Sequence, residues 1–204
     1  MFKKLVTILF TYLICFSMQS ATSADEILRR SIDKFFSGNG VEATYTVMTN
    51  NTSAKGIIKL QGNKFVIINS QISLWYDGTT QWNYNSTTNE ITITEPNKDE
   101  LNYFNPYNII VNHKNNFTSS IVTSKIGGTY CVVLKPINRD YDFKKIVLYI
   151  KSSDYNLVRA DLTDANNSIT TMVLSNINNN QHYQNSEFSC PLDKYKKAII
   201  IDLR

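Results

Sequence analysis

From residue 41 onward, apolar and polar side chains alternate in short runs separated by Gly, Asn and Ser. A period of two suits a pleated strand, whose successive side chains point to opposite faces. VEATYTVMT, AKGIIKLQG, NKFVIIN, SLWYDG, TQWNYN and NEITIT form a first series. FTSSIVTSKIGG, TYCVVLKP, FKKIVLYIKS, YNLVRADLTD, SITTMVLSNI and KKAIIIDLR form a second. The pattern predicts a mainly β protein of about eleven antiparallel strands.

The stretch YDGTTQWNYN shows the consequence most clearly. Asp77-Gly78 is a hairpin signal, because glycine accepts the positive φ that a type I′ turn requires. Beyond it Trp82 and Tyr84 share one face of a strand and Gln81 and Asn83 the other. Ile91 and Ile93 repeat the alternation against Thr92 and Thr94. With Phe65, Ile67, Leu74 and Tyr76 on the preceding strands, Trp82, Tyr84, Ile91 and Ile93 are the candidates to line a cavity. The predicted helices are too few to fill so long a sheet, so an apolar interior space is expected.

Two parts of the chain depart from the period of two. Asp25 to Phe36 sets Leu28, Ile32 and Phe35 on one helical face, with Asp25 and Glu26 at the positive end and SGNG as the stop. EPNKDELNYFNPYNIIVNHKNN, residues 95–116, suits short helices broken at Asn105-Pro106. Before all of this stand the basic Lys3 and Lys4, an apolar stretch from Leu5 to Phe16 and the small residues SATSA. They read as a secretory signal peptide over residues 1–24, leaving one domain over 25–204. The apolar stretch falls short of the roughly 20 residues that span a bilayer. Ile14 precedes Cys15 where a lipid-anchoring signal wants a small residue, so a soluble exported protein is expected.

The chain carries 21 Lys and Arg against 17 Asp and Glu, a net charge of +4 that drops to +2 without Lys3 and Lys4. So even a balance, with no basic stripe, argues against nucleic acid. No GxSxG, HExxH, P-loop or GxGxxG motif occurs, so no catalytic residue is assigned and no enzyme activity is expected. His113 and His182 lack ligand spacing, and neither a metal nor a cofactor is expected; His113 reads as a solvated loop residue. Cys131 and Cys190 sit in apolar contexts and read as small buried hydrophobes, with a disulfide as the lesser alternative.

Asp77-Gly78-Thr79-Thr80-Gln81-Trp82-Asn83-Tyr84 resembles a pattern of the bacterial outer-membrane lipoprotein carrier family, LolA. GNKF resembles the family's strand entry, NPYNII its helical lid, and CVVLKP a strand ending in Lys-Pro. EFSCP and IIIDLR resemble its closing strands, and NEITI and DLR look most like Bacteroidetes versions. The resemblance implies an incomplete antiparallel β-barrel lidded by an N-terminal helix and short mid-chain helices. It implies a periplasmic monomer that carries lipoprotein acyl chains from an inner-membrane ABC transporter to an outer-membrane acceptor. Leu101, Phe104, Pro106, Tyr107, Ile109 and Ile110 become the lid candidates.

The family places Arg-Pro just before that strand entry, and that Arg latches the lid; here Gln61 and Gly62 stand there. Gln61 is the latch candidate, without the charge or five-donor fork of Arg. Two other readings stay open: a binding protein for another lipid or glycolipid, and a β-structural or surface protein with a filled core.

Overall fold

The computed structural model describes residues 22–36, 40–50, 52–97, 101, 111, 113–138 and 141–204. Helix α1 (Ala24–Phe36) opens it, and a short helix α2 (His113–Asn116) interrupts the strands midway. Ahead of α2 come β1 (Val41–Thr49), β2 (Thr52–Gln61), β3 (Lys64–Asn69), β4 (Ile72–Tyr76), β5 (Gln81–Asn85) and β6 (Glu90–Thr94). After it come β7 (Phe117–Val122), β8 (Thr129–Pro136), β9 (Phe143–Lys151), β10 (Leu157–Asp164), β11 (Ile169–Asn178) and β12 (Ile199–Asp202).

All twelve strands belong to one sheet, ordered β12-β6-β5-β4-β3-β2-β1-β11-β10-β9-β8-β7. Its end strands β12 and β7 do not pair with each other, so the sheet stays open as an incomplete barrel. Consecutive strands within β1–β6 and within β7–β11 pair antiparallel, as the hairpin-sized gaps dictate. β12 departs from the all-antiparallel expectation and pairs parallel to β6, with Ile200 opposite Ile91. A parallel pair needs a crossover, and residues 179–198 supply it.

The turns show where glycine matters. β2 and β3 are joined through Gly62 at φ 60°, a conformation closed to proline, whose ring fixes φ near −65°. That geometry accounts for the missing family proline. Asp77-Gly78 does sit in a hairpin, but its loop holds four residues rather than the expected two. Tyr76 pairs with Gln81, and the Asp77 carboxylate accepts the Thr79 and Thr80 N–H groups at 2.9 Å each. Gly78 adopts a φ of 107° there.

The sheet buries both faces. One packs on α1 through Ile27, Leu28 and Phe35; this is the helix-side face. The other, outer face holds a second core, closed between β3–β6 and Phe188 and Cys190 of the crossover. Residues 1–21, most of the expected signal peptide, lie outside the described residues. Among the described residues, no helix is long and apolar enough to cross a membrane.

Candidate functional site

The helix-side face is continuous because antiparallel register keeps paired residues on the same side. One row runs Val41, Leu60, Phe65 and Tyr76 across β1 to β4; the next runs Ala43, Ile58, Ile67 and Leu74. Leu174, Leu148 and Val132 extend the apolar surface across β11, β9 and β8. The rows change character on β5 and β6. Tyr76 is followed by Gln81 and Thr94, and Leu74 by Asn83 and Thr92.

Helix α1 lies on this face from β7 at its start to β1 and β2 at its end. The gap left under its last turn, lined by Phe35, Val41, Ala43, Ile58, Leu60, Leu174 and Ile177, is only about 10 Å³. Ligand pockets occupy roughly 300–1,000 Å³, so no ligand-sized space lies under that turn. Its outward side carries an ion network: Glu26 pairs with Arg29 at 2.8 Å and Arg30 at 2.7 Å, and Arg29 with Asp33 at 2.6 Å. Hydrogen bonds from Arg29 and Arg30 hold the Glu26 carboxyl down at about 2.

Polar ties fasten the helix to its surroundings. The Ser119 hydroxyl donates to Asp25 Oδ1 at 2.6 Å and holds that carboxyl below its ordinary range. Arg30 donates to the Tyr155 hydroxyl at 3.0 Å. His113, expected in solvent, is instead 3% exposed in α2, with Nε2 3.5 Å from Asp25 Oδ1. The correction follows from α2 being packed under the start of α1, which no local pattern around VNHKNN reveals.

Register divides the eight cavity candidates. Phe65, Ile67, Leu74 and Tyr76 lie on the helix-side face. Trp82, Tyr84, Ile91 and Ile93 lie on the outer face, because Trp82 pairs with Trp75 and Tyr84 with Ser73. One cavity therefore cannot be lined by all eight. Of the lid candidates, Leu101 packs against the helix-side core; Phe104, Pro106, Tyr107, Ile109 and Ile110 lie outside the described residues.

Gln61 also points to the outer face, one residue past Leu60. Its Oε1 accepts the Tyr183 backbone N–H at 3.2 Å, so it holds the crossover segment. Lys59 pairs with Glu187 at 3.2 Å and Lys64 donates to Asn185 at 2.6 Å along the same seam. Tyr195 lies against Tyr84, with ring centroids 4.4 Å apart. These contacts were missed in the sequence, although Tyr183, Phe188, Cys190 and Tyr195 recur in an otherwise polar stretch without strand alternation. Cys131 and Cys190 are both buried and free, and burial pushes the Cys190 thiol up to about 11. Among the described residues, no group of three or more His, Cys, Asp or Glu could hold a metal ion.

The fold is similar to that of an uncharacterized conserved protein from Thermus thermophilus, with a TM-score of 0.60 and 15% identity, covering 88% of this chain and 98% of that one. A LolA superfamily protein from Nitrosomonas europaea matches with a TM-score of 0.44 and 10% identity, over 84% of this chain and 100% of that one. No curated protein matches the chain. The family model described as "Outer membrane lipoprotein carrier protein LolA" matches residues 14–165, ending before EFSCP and IIIDLR. An open β sheet carrying one amphipathic helix and a match over most of the length agree: the chain belongs to the LolA outer-membrane lipoprotein carrier family.

Proposed function

We propose that the protein is a periplasmic carrier that binds the acyl chains of lipoproteins on the helix-side face. The supporting observation is the breadth of that apolar face against the little helix that covers it among the described residues, α1 with Leu101 and α2 beside it. An acyl chain gains roughly 0.8 kcal/mol per methylene buried, without any charged contact. Because α1 leaves so little room beneath its last turn, a chain enters there by displacing it, and the few polar ties of α1 suit such a movement. By family, the cargo comes from an inner-membrane ABC transporter and passes to an outer-membrane acceptor. Residues 1–24 act as the signal peptide, and the carrier works as a monomer without a cofactor.

The small gap under α1 favours a second reading, a β protein with a filled core and no ligand. Native mass spectrometry of protein purified without detergent separates the two. Co-purified acyl lipid, or uptake of an acylated peptide, is the expected result. A protein that carries no lipid and takes up none belongs to the filled-core reading.

A further inference from the structure

The helix-side face ends in two buried carboxamide oxygens that accept no hydrogen bond from the protein. Gln81 is only 9% exposed and sits beside Tyr76 in its row, yet its Oε1 has no hydrogen-bond partner. Asn83 Oδ1, beside Leu74 in the next row, is likewise closed to solvent and unpartnered. The two residues share one face of β5, roughly 7 Å apart along the strand. Buried polar atoms are nearly always paired, since an orphan forfeits its bonds to water. A Leu at either position would extend the apolar floor without that penalty. The two amides are therefore poised for a partner from outside the chain.

We propose that Gln81 and Asn83 receive the head group of an acyl ligand, an uncharged group bearing N–H or O–H donors. The inference rests on acyl-chain binding at this face. The chain would lie along Phe65, Ile67, Leu74 and Tyr76, and its head would reach the carboxamide oxygens at the polar end of the rows. Thr92 and Thr94 continue those rows on β6. Among the described residues these two rows end in Gln81 and Thr94 and in Asn83 and Thr92, with no Lys or Arg at a row position to pair an anionic head such as phosphate or carboxylate. A neutral amide or glyceryl head meets both acceptors.

Calorimetric titration of the protein with three ligands of equal chain length tests this. N-methylpalmitamide offers an N–H donor, monopalmitoylglycerol offers hydroxyls, and N,N-dimethylpalmitamide offers neither. At least one donor-bearing ligand is expected to bind about tenfold or more tightly than the dimethylamide, the worth of one or two hydrogen bonds. Which one prevails tells an N-acyl head from a glyceryl head. In Gln81→Leu/Asn83→Leu the three ligands should bind alike, and the variant should melt at a higher temperature. Equal affinities in the unaltered protein overturn the head-group site while leaving acyl binding intact, and so does a preference that persists in the double variant. Failure of all three ligands to bind removes the acyl-binding reading and this site together.

Discussion

Gln61 Oε1 accepts the backbone N–H of Tyr183 at 3.2 Å, joining the end of β2 to a segment 122 residues further along the chain. The bond lies on the outer face, so Gln61 secures the crossover rather than the helix. Gln61→Ala should cost about 1 kcal/mol, one neutral hydrogen bond. Faster amide exchange should be confined to residues 181–190. Unchanged exchange there, with α1 loosened instead, would restore Gln61 to a latch on the helix side.

Both tryptophans report on that outer core. Trp75 is buried with Phe188, and Trp82 packs against the same cluster. Phe188→Ala should cost at least about 3 kcal/mol and shift tryptophan emission to the red while the sheet stays folded. An acyl ligand on the helix-side face should leave that emission nearly unchanged. A large ligand-induced shift with no change at α1 would place the ligand on the outer face.

Loosening α1 should help a ligand in. Ser119→Ala removes the donor that Asp25 accepts. If chains enter where α1 lies, the variant should bind an acyl probe up to about tenfold more tightly, because a larger fraction is open. Equal or weaker binding would argue that α1 stays in place.

Acid should loosen the same helix. Glu26 is held at about 2, below its ordinary 4.5, by Arg29 and Arg30. A carboxyl held down in the folded state stabilises above its unfolded value and loses that contribution as pH falls. Protection of the α1 amides, taken relative to the intrinsic exchange rate at each pH, should therefore fall between pH 4.5 and about 2, less steeply in high salt, since Glu26 is exposed. Arg29→Ala/Arg30→Ala should flatten that pH dependence; a dependence left intact would assign it to another group.

The two thiols should stay silent in the native state. Cys190 is held at about 11 by burial, and Cys131 is raised for the same first reason. Alkylation at pH 8 should be slow in buffer and complete in urea, because the thiolate is the nucleophile. Fast labelling of the folded protein would mean that the outer core opens readily.

Much of the β architecture could be read from short range. Alternation around Trp82 and Tyr84 places both on one side, and hairpin parity says which. A loop of two residues or of four sets Trp82 opposite an odd-numbered residue of β4, hence with Trp75 rather than Tyr76. The division of the eight cavity candidates was therefore legible in the numbering. Grouping them by apolarity alone overlooked it.

The period of two and the turn residues come from the pleat and from φ at single positions, so neighbouring residues determine them and the sequence shows them directly. What covers each face depends on contacts between distant segments. Local patterning does not announce that Phe188 and Tyr195 return to the outer face of β3–β6, or that β12 joins β6 in parallel. Nor does it place His113 beneath Asp25 or seat the last turn of α1, with Phe35, against Val41 and Leu60. Those outcomes follow from competition for the same apolar area among elements far apart in the chain, which only the folded arrangement resolves.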